Sequence, residues 1–275
     1  MTQLLKDRAI LSIKGKDSLL FLQNIVTNDL SGTLYSYNYL LSSHGRYLYD
    51  FFVLNLSSND FLIDIDYASS HSFIKKLNLY KMRQNVEIRD LTDNYSILYS
   101  KEILDNSDKI ISSNKDPRFI KLGFRSLVQS IHVEDLEIYS NNLYITDKYE
   151  YTIPDGINDL IFDTSLVSQF GAEELYALSF SKGCYIGQEV ISRFKYQGSL
   201  RKKLFKISSN TRIPYHKIGT EITDFKGKKI GILCSSYIGS GIALLNYEKY
   251  LELDKKVAVI NSTYQVLITP PEWRV

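Results

Sequence analysis

The chain has 275 residues, 44% of them hydrophobic and 23% charged, and a formal net charge of +2. This composition is that of an ordinary globular protein and excludes a disordered chain. The length suffices for one large domain or for two to three small ones. The net charge is too small to indicate a nucleic-acid or membrane partner by itself.

Cysteine and histidine usage narrows the class of protein further. Cys184 and Cys234 lie in unlike contexts, so they could form one disulfide but no disulfide framework. The histidines are scattered without metal-ligand spacing, and no protein-only zinc or iron–sulfur site is expected. No apolar run is long enough to span a membrane, and the N-terminus has no apolar signal core, so we expect a reducing cytoplasm. The four histidines are His44, His71, His132 and His216.

The N-terminal third of the chain predicts alternating strands and helices. Asp17 is a candidate N-cap for a helix through Val26, and Asp66 for a helix that includes Met82, because apolar residues recur there at three- and four-residue spacing. His44, Gly45 and Arg46 form a turn between two strands. Strands with alternating or β-branched patterns are predicted at residues 9–13, 39–41, 47–56, 61–66 and 86–88. This order of elements is typical of an α+β fold.

The rest of the chain predicts mostly short strands. Between residues 94 and 147 they fall at 95–99, 109–111, 119–122 and 143–145. After Gly198 the pattern contains strands and glycine turns without a helix, at 200–207, 229–233, 241–245, 257–260 and 264–268. This spacing predicts a small antiparallel β-barrel. We therefore divide the chain into a region 1–197 and a barrel domain 198–275.

The octet, residues 182–189, concentrates reactive and backbone-permissive residues. It reads Lys-Gly-Cys-Tyr-Ile-Gly-Gln-Glu and precedes an amphipathic run. A helix that begins near Gly187 would present free N–H groups and a positive dipole end. Cys184, beside Lys182, is therefore interpreted as a reactive or ligand-facing thiol with a lowered pKa rather than as core filler. Cys234 lies in an apolar strand and is interpreted as core.

Two further features leave alternatives open. Glu189 and Arg193 stand at i and i+4, which fits either a solvated ion pair or an inward carboxylate that accepts N–H bonds from an aminopyrimidine-like ring. The densest basic run fits either a solvated strand face or a cationic rim for a carboxylate-rich tail or a phosphate. Interleaved aromatic residues also permit single-stranded nucleic acid, a weak signal. The basic run contains Arg193, Lys195, Arg201, Lys202, Lys203 and Lys206.

The octet resembles the signature of the YgfZ family, the folate-binding relatives of the glycine-cleavage T-protein (GcvT). Further segments are similar to family elements in the same order, so the resemblance covers nearly the whole chain. They are residues 17–29, Gly45-Arg46 followed by Asp50, Glu150 with residues 153–155, and Gly231 with Ser235-Ser236.

The resemblance implies a ring of two α+β subdomains and a small C-terminal antiparallel β-barrel around a channel that binds tetrahydrofolate. It also implies an accessory role, without conventional turnover, in the assembly or repair of iron–sulfur enzymes, including radical enzymes that modify tRNA. Cys184 and Lys182 would carry the chemistry. The implied folate-binding residues are Gly183, Tyr185, Gly187, Gln188, Glu189, Arg8, Asn28, Asp50, Tyr144, Arg193 and Arg201.

The implied ligand is tetrahydrofolate or a one-carbon derivative, whose polyglutamyl tail would meet the basic run. The implied macromolecular partners are iron–sulfur client enzymes or assembly proteins. A monomer is expected, without a membrane partner and without nucleic acid as a direct ligand.

The sequence departs from the family pattern at four positions. Tyr49-Asp50 keeps only the second member of the T-protein's acidic pair, which weakens an aminomethyltransferase reading. Thr152 stands where glycine is usual. Arg8 and Tyr144 stand where some relatives have tryptophans, and Tyr144 could serve as the stacking ring. Folate-dependent aminomethyl transfer or demethylation stays an alternative function, and a tRNA- or partner-binding module that uses the basic run is a second one.

Overall fold

A computed structural model describes residues 1–104, 108–136, 138, 142–198, 200–213 and 218–274. His216 lies outside these residues. The strands are β1 (Thr2–Leu5), β2 (Arg8–Lys14), β3 (Tyr35–Leu41), β4 (Tyr47–Ser57), β5 (Asp60–Asp66), β6 (Glu87–Asp90), β7 (Tyr95–Ser100), β8 (Ile110–Lys115), β9 (Phe124–Gln129), β10 (Lys202–Ser208), β11 (Thr220–Thr223), β12 (Lys229–Tyr237), β13 (Ser240–Asn246), β14 (Val257–Ile260) and β15 (Tyr264–Thr269). The α-helices are α1 (Ser18–Gln23), α2 (Tyr67–Lys81), α3 (Leu143–Tyr151), α4 (Gly156–Asp159), α5 (Gln188–Gln197) and α6 (Tyr247–Leu251). Three short 3-10 helices cover Ser130–Asp135, Val167–Phe170 and Asp254–Lys256.

The first α+β unit is an antiparallel sheet of order β3-β4-β5-β2-β6. Phe21 of α1 and Phe73 of α2 are buried against one face of this sheet. The predicted cap of α2 is confirmed, because the Asp66 carboxylate accepts a hydrogen bond of 2.9 Å from the Ala68 N–H. The predicted β3–β4 hairpin across residues 42–46 is confirmed as well.

The second unit is a sheet of order β1-β7-β9-β8 with α3 beside it. The chain starts in this sheet, since β1 pairs with β7, and then crosses to the first sheet as β2. Ile10 and Leu62 of the first sheet meet Ile97 and Leu127 of the second in a common apolar cluster. The two sheets therefore cover each other, and the face of β5 that carries Asp64 is buried between them.

The C-terminal unit is a closed antiparallel barrel of order β10-β13-β12-β11-β14-β15. The predicted barrel and the α+β class are confirmed. Apolar residues such as Phe205, Ile222 and Ile260 fill the barrel, with exposed fractions of 1% or less. The boundary at residues 197/198 stays a prediction.

Five sequence predictions need correction. Residues 119–122 form a turn rather than a strand, and residues 143–145 begin α3. Short apolar runs do not distinguish strand from helix. α1 ends at Gln23, and Val26 instead makes a β-bridge to Leu40. α2 ends at Lys81, with Met82 at a positive φ of 46°. The barrel region also contains α6, although its pattern predicted no helix.

The last residues return from the barrel to the α+β region. Trp273 is 8% exposed, and its indole N–H donates a 2.9 Å hydrogen bond to the carbonyl of Tyr151 at the end of α3. The indole lies directly on Gly171, where a Cβ would come within 2.4 Å of the ring. This contact satisfies one of the terminal carbonyls of α3 and holds the helix in place.

Thr152 ends α3 in the left-handed region, with φ 59° and ψ 48°, and its buried hydroxyl has no partner among the described residues. We expect Thr152→Gly to raise the free energy of unfolding by about 1 kcal/mol. The left-handed conformation costs a side chain about 1–2 kcal/mol, which exceeds the entropic cost of glycine, about 0.5–1 kcal/mol. Urea unfolding measures this. Thr152→Ala removes the hydroxyl and the γ-methyl group but keeps the Cβ that the left-handed conformation disfavours, so it should gain less stability. A glycine variant less stable than the parent would contradict the assignment.

Candidate functional site

A cavity of about 440 Å³ lies where the three units meet. This volume is within the ~300–1,000 Å³ typical of small-molecule sites. The first unit contributes Arg8, Asp50 and Asp66, the second contributes β1 and α3, and the barrel contributes Ser236 and Tyr237. Helix α4, which contacts both β4 and β12, also lines the cavity. The cavity therefore depends on all three units being assembled.

Asp50 is one of the carboxylates that line this cavity, together with Asp7, Asp66 and Asp155. It accepts hydrogen bonds from the hydroxyls of Tyr37 (2.7 Å) and Tyr47 (2.9 Å) and from the N–H of Gly156 (3.2 Å). None of the ion pairs between described residues includes it. A carboxylate offers about four lone-pair sites, so three donors leave roughly one for a ligand. Burial, followed by the charge of Asp50, holds the pKa of both tyrosines well above the ordinary value, so both stay donors.

Arg8 reaches the same cavity but acts mainly on Asp64. The Arg8 Nε donates to Asp64 at 2.5 Å, and Arg125 donates to the other carboxylate oxygen at 2.7 Å. Burial alone would raise the pKa of Asp64, but the guanidinium charges of Arg125 and Arg8 outweigh it and hold the pKa below its ordinary value. A carboxylate between two guanidiniums thus joins the sheets behind the cavity wall.

Tyr144 lies in a second buried charge network on the other wall. Its hydroxyl donates to Asp155 at 2.8 Å and accepts from Arg118 at 3.1 Å. Lys148, 3% exposed, donates to both Asp155 and Asp159 at 2.8 Å. The single Lys148 ammonium therefore forms ion pairs with both carboxylates. Burial opposes the charge of both carboxylates. At Asp155 the charges of Lys148 and Arg118 outweigh burial and hold the pKa below its ordinary value. At Asp159 burial outweighs the charge of Lys148 and raises the pKa above its ordinary value.

Asp159 connects this network to the barrel. Its carboxylate accepts a hydrogen bond from the hydroxyl of Ser235. The pairing of β12 with β13 shifts register between Leu233 and Ser235, which leaves Cys234 as an extra, bulged residue. The bulge turns Ser235 toward Asp159 and brings Ser236 to the cavity. Cys234 itself is 1% exposed, so the prediction that it belongs to the core is confirmed.

The octet lies elsewhere, on the β3–β4 hairpin. The predicted helix start is confirmed, since α5 begins after Gly187, whose φ is 84°. A Cβ there would approach the Ser42 carbonyl to 2.7 Å and Gly45 Cα to 3.0 Å, so the close approach requires glycine. None of the octet is among the residues that line the cavity. Its predicted contact with folate is therefore still a prediction.

Within the octet, Cys184 is exposed and is not part of a disulfide. The Lys182 ammonium donates to the carbonyls of Val26 and Asn28, each at 2.8 Å, and so ties the octet to the segment after α1. Burial lowers the pKa of Lys182 to about 8. Tyr185 is buried, and burial raises its pKa to about 12.

The remaining predicted residues are not in the cavity wall. The Asn28 amide donates to the carbonyl of Tyr176 at 2.6 Å. Glu189 and Arg193 form an exposed ion pair of 2.7 Å, which is the solvated alternative. Gln188 is half-buried in the first turn of α5, and Gly183 and Arg201 are exposed. In the basic run, Lys195 pairs with Glu173 and Lys206 with Glu150.

Of the predicted site residues, the cavity thus brings together Arg8, Asp50 and Tyr144. Sequence reasoning missed Lys148, Tyr149, Asp155 and Tyr237 as cavity residues. An acidic residue flanked by apolar residues in a predicted strand, as Asp64 is by Ile63 and Ile65, is the sequence signal that could have indicated a buried charge network.

The described residues show neither a metal-binding cluster nor a membrane-spanning helix. They contain no cluster of three or more His, Cys, Asp or Glu side chains able to hold a metal ion. None of the helices found in them has the length and apolar character needed to cross a membrane.

The chain has a GcvT-like α+β fold with a closed C-terminal β-barrel. Residues 8–120 match the family model of the GCVT N-terminal domain, and residues 201–274 match the model of the CAF17 C-terminal beta-barrel domain. The crystal structure of the glycine cleavage system aminomethyltransferase T from Bartonella henselae superposes with a TM-score of 0.72, covering 100% of this chain and 86% of that one. Sequence identity is 12%, so this likeness concerns the fold alone.

Similar sequences are named iron-sulfur cluster assembly factor IBA57, mitochondrial, or its homolog. The Pyricularia oryzae protein is 28% identical over 73% of this chain and 55% of its own length. The human protein is 25% identical over 89% of this chain and 77% of its own length. This chain thus spans little more than half of the fungal relative. The narrower assignment to the YgfZ family stays a prediction.

The predicted cytoplasmic location is wrong by this comparison. The relatives carry names that place them in mitochondria. The prediction rested on missing secretory and membrane features, and such features do not distinguish one reducing compartment from another.

Proposed function

We propose that this chain is a tetrahydrofolate-binding accessory factor for the assembly or repair of iron–sulfur enzymes, with tRNA-modifying radical enzymes among its clients. The observation that carries the folate part is Asp50, a carboxylate that faces the shared cavity with unused acceptor capacity. An aminopyrimidine ring presents N–H donors, which a carboxylate binds through charge-assisted hydrogen bonds.

The residues of the cavity fit a folate in further respects. Tyr144 supplies an aromatic ring held by Arg118 and Asp155, and the volume suits a small molecule. Bound tetrahydrofolate would supply a one-carbon carrier. The chain's own part would be to orient the pterin at Asp50 and to exclude water at the junction of the three units.

The names of the similar proteins support the iron–sulfur part. Within the octet, Cys184 is the group that combines exposure with nucleophilic or ligand chemistry. We place the contact with a client or assembly protein at this face. Folate and partner would then bind at separate places, since the octet is absent from the cavity wall.

We expect Cys184→Ser to leave the protein folded and to remove its function in cells. The measurement is iron–sulfur enzyme activity in a strain that lacks its own relative of this protein, complemented with each variant. The serine variant should give roughly the activity of the uncomplemented strain, while its free energy of unfolding changes by less than about 0.5 kcal/mol because the side chain is exposed.

Ser181→Ala, at an exposed position of the same loop, is the matched control and should restore activity fully. Full restoration by Cys184→Ser would refute the role of the thiol.

Folate-dependent one-carbon transfer is the second candidate, because Asp50 lies in the cavity at the retained position of the T-protein's acidic pair. Its sign would be methylene-tetrahydrofolate formed from an aminomethyl or N-methyl donor and lost in Asp50→Asn.

A further inference from the structure

Two tyrosines from different units form an aromatic wall of the cavity. Tyr149 belongs to α3 and Tyr237 ends β12 of the barrel, and both line the cavity. Their rings stack with centroids 5.9 Å apart and an interplanar angle of 18°. This geometry is the offset stacking that aromatic pairs prefer. Neither tyrosine is itself one of the residues on which the family resemblance rests, although each lies next to one of them.

One side of this stack is already occupied. The Lys148 ammonium lies 5.2 Å from the centroid of the Tyr149 ring, and Lys148 is fixed by Asp155 and Asp159. Tyr149 therefore contacts both a cation and Tyr237, and 6% of its surface is exposed. Tyr237 is half-buried, so part of its surface stays open where it lines the cavity. A further planar ring can extend the stack at that point.

The barrel fixes the two-residue turn that follows Tyr237 between β12 and β13. The next residue, Ile238, is exposed and has a φ of 55°, a conformation that β-branched residues disfavour. The turn is held by hydrogen bonds from Ser209 N–H to the Gly239 carbonyl (2.8 Å) and from Ile213 N–H to the Ile238 carbonyl (2.7 Å). A positive φ is what a two-residue hairpin loop requires, so this turn fixes the position at which β12 ends with Tyr237.

The aromatic wall is adjacent to the Asp50 end of the cavity. Gly156, which donates to Asp50, and Asp159, which accepts from Ser235, are the two ends of α4. With a rise of about 1.5 Å per residue, these ends are roughly 5 Å apart along the helix. One ligand of moderate length can therefore contact both Asp50 and Tyr237.

We propose that Tyr237, backed by Tyr149, is the subsite for a planar aromatic segment of the cavity ligand, next to the hydrogen-bonding end at Asp50. This inference rests on the proposed function, in which the segment is the aminobenzoyl group that links the pterin of a folate to its glutamate. Tyr237 would then distinguish a folate from a free pterin.

The test compares calorimetric titrations of three probes into the full chain and into Tyr237→Ala and Tyr237→Phe. The probes are 5-formyltetrahydrofolate, 6,7-dimethyltetrahydropterin and N-(4-aminobenzoyl)glutamate. Tyr237→Ala should lower the affinity for the folate about tenfold, because an aromatic contact and its buried area are lost. The same variant should leave the pterin unchanged and abolish measurable binding of the aminobenzoyl probe. Tyr237→Phe, which keeps the ring, should bind all three as the parent does.

If Tyr237→Ala lowers the affinities for folate and pterin equally, or lowers neither, the assignment of Tyr237 to the subsite is overturned. Failure of the parent protein to bind the folate would refute the proposed function instead. In that case the aminobenzoyl probe decides alone: binding that Tyr237→Ala removes supports the subsite, and an absence of binding to the parent overturns it.

Discussion

Asp64→Asn is expected to lower the free energy of unfolding by about 3–5 kcal/mol, the usual cost of leaving a buried charge unpaired. The carboxylate is buried between Arg8 and Arg125, and Arg125 is even more deeply buried than Asp64. A neutral amide would leave two guanidiniums facing each other between the sheets. Urea unfolding of parent and variant at pH 7 measures the difference.

Glu221→Gln is the matched control, because it breaks the ion pair with Lys229 on the surface of the barrel, where both side chains are more than half exposed. Surface pairs contribute about 0–1 kcal/mol, so its loss should stay in that range. Equal losses in the two variants would contradict the structural role of Asp64.

The effect of Asp64 should also depend on pH. Its folded-state pKa is lowered, so the stability it contributes is fully present above the unfolded value of about 3.9 and is lost as pH falls through the folded pKa. Asp64→Asn should therefore show a shallower loss of stability below pH 4 than the parent. If the free energies of unfolding of parent and variant differ by the same amount down to the lowest pH, this prediction is contradicted.

Gly156→Ala is the substitution with the second largest expected effect. A Cβ at this position would lie 1.8 Å from the Asp50 carboxylate and 2.0 Å from the Tyr47 hydroxyl. We expect a loss of about 3 kcal/mol, the upper end of overpacking, although alanine in a helix is by itself favoured by about 1 kcal/mol. Thermal unfolding measures the loss, and folate titration should show that binding disappears with it because Asp50 is displaced.

The octet offers the matched control. Gly183→Ala adds the same methyl group where no heavy atom lies within 4 Å, so stability should change by less than about 0.5 kcal/mol. Stability and folate binding of Gly156→Ala equal to those of Gly183→Ala would show that the packing at Asp50 is not as described.

The elements that the sequence predicted well are those with a local cause. α2 follows from apolar periodicity and the Asp66 cap, and α5 from Gly187, since caps and turn glycines act within a few residues. α3 was predicted as a strand because Leu143 to Ile145 are a short apolar run. Its helical form depends on distant contacts, such as Trp273 with the carbonyl of Tyr151.

The site was less predictable, because its main interactions join distant parts of the chain. Asp50 and Tyr144 were found through the resemblance. Asp64 was read as the polar face of a half-buried strand, and it is buried because Arg125 of the second sheet covers it. The stacking of Tyr237 on Tyr149 depends on a barrel bulge that no local pattern indicates.

The central claim is that Asp50 recognises the pterin of a folate in the cavity. Calorimetric titration of 5-formyltetrahydrofolate into the parent protein and Asp50→Asn at pH 7 tests it most directly. The parent should bind, and the variant should bind at least about tenfold more weakly, since a hydrogen bond to a charged group contributes about 1.5–3 kcal/mol. No binding by the parent, or equal affinity in both proteins, would contradict the claim.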